Sequence, residues 1–148
     1  MACAFCYTGA MMKKRTGPAP LKVICISHWH CRACARTLDC SWPARLWAAL
    51  ETTEPGRYYV YHFVVDSHEP DAALAHLQDK VLRYLPGIVV IQPPARAAVY
   101  LRAVRQAVAA RQGQYVALPA NCRGTTPDLG RLAAHVTRWA DRAKRGLS

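Results

Sequence analysis

Negative charge is scarce in this chain. Its 148 residues carry 20 Lys and Arg against 9 Asp and Glu, a formal net charge of +11. The excess sits at the two ends, residues 1–50 and 95–148, around an acidic middle. Long apolar runs are absent as well. No stretch approaches the ~18 residues that a bilayer-spanning helix needs, so no transmembrane segment is expected. Residues 1–20 lack the apolar segment of a signal peptide, because Met11-Met12-Lys13-Lys14-Arg15 interrupts them. The expected location is therefore intracellular, in a reducing compartment, with organelle import by another route left open. Such a setting weighs against an oxidised disulfide framework. There is no Gly-rich phosphate loop, HExxH, GxSxG or kinase signature, and neither an internal repeat nor a low-complexity segment. The familiar hydrolase and phosphotransferase readings go with them. At 52% hydrophobic residues, what remains is a folded chain long enough to bury a core.

The dominant pattern is an alternation of strand and helix signals. Leu21-Lys22-Val23-Ile24-Cys25-Ile26 reads as a buried strand, and Arg57 to Asp66 (RYYVYHFVVD) is the strongest strand in the chain. Ile88-Val89-Val90-Ile91 is a third, fully apolar strand, and Gln114 to Leu118 a fourth. Helices are expected between them. A short one spans Ala33 to Cys40. Another opens at Pro43, with Ser41 as its cap and Leu46, Trp47 and Leu50 on its buried side. A third runs from Pro70 to about Leu85, with Leu74, Leu77, Val81, Leu82 and Leu85 on one face. Leu101, Val104 and Val108 mark the next, and Thr126-Pro127-Asp128 starts a last helix that runs to about Arg145. Strands alternating with helices predict a small three-layer α/β fold with a partly parallel sheet. The expected division is a cysteine-rich segment over residues 1–40, followed by an α/β domain over 41–148 that ends in a basic helix.

Seven cysteines concentrate toward the N-terminal end, with Cys3-Ala4-Phe5-Cys6 and Cys31-Arg32-Ala33-Cys34 as two CxxC pairs. Each pair presents two thiolates from one tight turn, and two such turns complete the tetrahedron of a structural zinc ion. Cys3, Cys6, Cys31 and Cys34 are thus candidate ligands, with Cys25, His28 and His30 as rivals. CAFCYTGAMMKKRTGPAPLKVICISHWHC resembles the zinc ribbons of type IA topoisomerases, which implies Cys25 and Cys31 as the second pair. Cys25 also has a plainer reading as a small hydrophobe in a strand, and Cys40 and Cys122 read as core or surface cysteines.

A second reading keeps only Cys31 and Cys34. A CxxC after a buried strand and opening a helix lowers a thiol's pKa. VICISHWHCRACARTL resembles the strand, aromatic residue, CxxC and helix of the thioredoxin-like superfamily. That resemblance implies a thioredoxin-like sheet and a thiol–disulfide oxidoreductase, with Cys31 as nucleophile, Cys34 as resolving thiol and Pro86 as the substrate-facing proline.

The last helix carries the cleanest pattern. Leu129, Leu132, Val136, Trp139 and Ala143 form an apolar stripe, and Arg131, His135, Arg138, Arg142 and Arg145 a basic one, with Lys144 on the flank. Arg102, Arg105 and Arg111 on the preceding helix extend the candidate patch. A one-sided cationic face can follow a phosphate backbone, whereas an ordinary solvated helix mixes signs. Tyr58, Tyr59 and Tyr61 offer either stacking surfaces or sheet packing. The expectation is a non-enzymatic, zinc-stabilised nucleic-acid-binding or ribonucleoprotein assembly protein, with RNA favoured over DNA and other subunits of a large assembly as further partners. The oxidoreductase, and a structural subunit of a larger complex, stand as alternatives.

Overall fold

The computed structural model describes residues 19–28, 42–65, 70–93, 97–119 and 128–146. Strands β1 (Leu21–His28), β2 (Tyr58–Val65), β3 (Ile88–Ile91) and β4 (Gln114–Ala117) form one sheet in the order β2-β1-β3-β4, every neighbouring pair parallel. Helix α1 (Trp42–Thr53) joins β1 to β2, and α2 (Pro70–His76) begins the β2–β3 crossover. Helix α3 (Ala98–Ala110) joins β3 to β4, and α4 (Leu129–Lys144) follows β4. β1 is paired on both sides and is a central strand of the sheet, although it lies N-terminal to the boundary expected at residue 40.

A parallel sheet must bury both faces, and the side-chain period of two divides each strand between them. Val23 and Cys25 of β1, with Ile88 and Val90 of β3, pack under α1 and α4 against Trp42, Leu46, Leu50, Leu132, Val136 and Ala140. Ile24 and Ile26, with Val89 and Ile91, pack on the other side against Leu77, Val81 and Leu82 of the β2–β3 crossover and Tyr100, Val104 and Val108 of α3. The result is a three-layer α/β fold. Its sheet is wound outward in both directions from β1 and β3, where the strand order reverses.

Two helices depart from the periodic expectation. Trp47 is exposed, and Trp42, one turn before Leu46, takes the buried place expected of it. The segment expected as one helix to Leu85 divides instead: α2 widens into a π turn over Leu77–Val81 and tightens into a 3₁₀ turn over Leu82–Tyr84. On a uniform 3.6-residue helix Leu77, Val81 and Leu82 would spread over an arc of ~140°, which the wider π turn narrows. The extra residue in the π turn lets all of them reach the core. Gly87 then enters β3 beside β1, where a Cβ would stand 2.7 Å from the Lys22 carbonyl oxygen.

Candidate nucleic-acid interface

α4 begins where sequence chemistry predicts. Asp128 is its N-cap, and the carboxylate accepts a hydrogen bond from the Arg131 backbone N–H at 3.0 Å. Leu132, Val136 and Ala140 bury the inner face, flanked by half-buried Leu129, Ala133 and Trp139. Ala143, expected in the packing stripe, is exposed. It lies in the last turn, beyond the residues that cover the inner face, and Ala140 occupies the buried place instead.

Arg131, Arg138, Arg142, Lys144 and Arg145 are all exposed, whereas His135 is half-buried at the side of the stripe. Asp141 is the acidic residue within α4, and it is engaged. Its carboxylate accepts from Arg57 Nη2 at 2.8 Å, while Nη1 of the same guanidinium pairs with Glu54. Burial pulls the Arg57 pKa down, but the hydrogen bonds to Glu54 and Asp141 outweigh it, and the guanidinium stays fully charged. Asp141 is thus neutralised by a cation from the β2 end of the sheet. Among the described residues, Arg131, Arg138, Arg142 and Lys144 have no carboxylate within ion-pair distance. Nothing in the local sequence signals the Arg57 bridge, whose partners lie 84 residues apart.

Arg102, Arg105 and Arg111 are exposed too, but α3 and α4 cover opposite faces of the sheet. The patch does not continue from one helix to the other as expected, and α3 presents a separate basic surface. The three tyrosines of β2 also divide. Tyr58 is buried on the α1/α4 side, whereas Tyr59 and Tyr61 lie on the α2/α3 side.

Of the sulfur and imidazole candidates, Cys3, Cys6, His30, Cys31 and Cys34 lie outside the described residues, and His28 closes β1. Cys25 is wholly buried in the core beneath α1 and α4, and burial pushes its thiol pKa far above the ordinary range. Among the described residues no three His, Cys, Asp or Glu side chains converge as a metal site. Pro86 follows a cis peptide bond and precedes β3 at the end of the sheet where β1 begins, one residue before the Gly87 that packs on the Lys22 backbone. The end of β1 that leads on toward Cys31 is ~20 Å away along the strand.

A polar cluster at the other end of the sheet was not legible beforehand. Ser27 Oγ lies 3.1 Å from His62 Nε2, and Trp42 Nε1 donates to Gln92 Oε1 at 3.1 Å, with Ser27 and Gln92 both buried. Burial lowers the His62 pKa, so its neutral form is favoured. No protein-family model matches this chain, and no curated protein matches it in sequence.

Proposed function

We propose that this protein is a non-enzymatic binding module whose α4 surface engages a polyanion, RNA foremost, in the setting of a ribonucleoprotein or other large assembly. One observation carries the reading: α4 presents Arg131, Arg138, Arg142 and Lys144 with no carboxylate partner among the described residues, and its own Asp141 is held by Arg57. From Arg131 to Arg145 the helix rises ~21 Å. Phosphates follow one another at ~3.4 Å along each strand of a DNA duplex, so a helix face of that length can meet several of them on a nucleic-acid backbone. Contacts of this kind supply affinity and orientation without reading bases. Cys3, Cys6, Cys31 and Cys34 would hold a zinc ion bracing the N-terminal segment, a scaffolding role with no part in a reaction.

The test is fluorescence anisotropy with a labelled RNA across a salt series. Four or five phosphate contacts predict a slope of log K against log salt of about −3 on a single strand. Arg138→Glu with Arg142→Glu weakens binding and flattens that slope. Affinity unchanged by salt, or by this double variant, refutes the assignment to α4.

A further inference from the structure

The β2 edge of the sheet carries a row of aromatic rings that the basic helix does not explain. Among the described residues β2 is an edge strand, paired only with β1, and its Tyr59 is 43% exposed. The Tyr59 and Tyr61 rings stand 6.4 Å apart, and Tyr84, delivered by the 3₁₀ turn after the π turn, lies 5.0 Å from Tyr61. Two cations flank the row. The exposed Arg83 lies over the Tyr84 ring at 5.4 Å, and Lys22 is the β1 partner of Tyr59 on the same face of the sheet. Tyr61 and Tyr84 are half-buried against the core, which fixes them, while Tyr59 leaves ring surface open at the outer end. Rigid rings backed by a core and edged by cations suit an unpaired base, which stacks on the ring while its phosphate meets the charge.

We propose that Tyr59, supported by Tyr61 and Tyr84 and flanked by Lys22 and Arg83, is a stacking platform for unpaired nucleobases, so that the nucleic acid bound is single-stranded. The inference rests on the nucleic-acid reading and narrows it. The platform and the arginines of α4 lie on opposite layers of the fold. A duplex is stiff over many times the width of this domain and meets one surface or the other. A single strand bends around the sheet and meets both.

The experiment measures binding of three labelled probes to the whole protein: an oligouridine of ~12 nucleotides, within the usual range of single-strand site sizes, an abasic strand of equal length, and a blunt RNA duplex. Wild-type protein prefers oligouridine over the abasic strand. Tyr59→Ala weakens oligouridine binding roughly 5- to 150-fold, the worth of one stacked base. The same change leaves abasic and duplex binding as they were. Tyr59→Phe keeps the ring and retains the wild-type preference. Oligouridine binding that falls with Arg138→Glu and Arg142→Glu but not with Tyr59→Ala overturns the platform and leaves the polyanion reading standing. No binding of any probe overturns both. A wild-type dimer that Tyr59→Ala converts to monomer, seen by light scattering, assigns the row to a second copy and overturns the platform.

Discussion

Arg57 is the residue through which the fold and the basic surface are coupled, and Arg57→Ala tests that coupling. The substitution removes pairs to Glu54 and Asp141 and a guanidinium lying 5.5 Å over the Tyr58 ring. Exposed ion pairs contribute ~0.2–1 kcal/mol each. The Arg57 side chain is only 19% exposed, but Asp141 is 48% exposed, so solvent screening holds each pair within that range. With ~0.5 kcal/mol from the ring contact, the loss comes to about 2 kcal/mol, or ~4–8 °C in Tm for a domain of this size. Asp141→Asn removes one pair and costs ~0.5–1 kcal/mol. Urea unfolding of both single variants and the double gives the coupling directly. The two changes are expected to be less than additive, because both break the same bond. Additivity within ~0.3 kcal/mol refutes the bridge as an energetic contact. RNA affinity separates the roles further. Arg57→Ala releases the Asp141 carboxylate to compete for Arg138 and Arg145, three and four residues away on the same helix, and flattens the salt slope by roughly one contact, ~0.7. Asp141→Asn, equally outside the binding face, has the opposite sign and tightens binding while lowering stability. If both variants weaken RNA binding alike, α4 is disturbed as a whole and the electrostatic account fails.

Three further outcomes are expected. His62 is kept neutral by burial and lies beside Ser27; its depressed pKa means that its contribution to stability is complete above the unfolded value of 6.5 and is lost as pH falls below that toward the folded value. Urea midpoints measured from neutral to mildly acidic pH should therefore drop for the wild type more steeply than for His62→Gln, and parallel curves would remove His62 as the cause. Gly87→Ala sets a Cβ against the Lys22 backbone and should cost ~1–3 kcal/mol by forcing β1 and β3 apart, and a neutral change would mean that the sheet yields there without cost. Native mass spectrometry of the reduced protein should find one zinc that a chelator removes. Cys31→Ser should abolish it and Cys25→Ala should leave it in place, since the Cys25 thiol belongs to the core; metal lost with Cys25→Ala alone would reverse the ligand choice.

The sequence by itself determined the elements. β2, the unbroken apolar run of β3, the Asp128 cap and the apolar and basic stripes of α4 are written in patterns a few residues long, where backbone geometry and side-chain period act locally. It also placed the cations of α4 on an outer face, because a helix period of 3.6 separates them from Leu132 and Val136 whatever the partner. What the tertiary structure decided depends on contacts between distant segments. The strand order with β1 at the centre, the burial of Trp42 in place of Trp47, and the π turn that brings Leu77, Val81 and Leu82 to one core follow from packing two layers onto one sheet. The split of the basic residues between opposite faces, the Arg57 bridge to Asp141 and the meeting of Tyr84 with Tyr61 share that origin. Periodicity states which face of an element is buried. Only the three-dimensional arrangement states what lies against it.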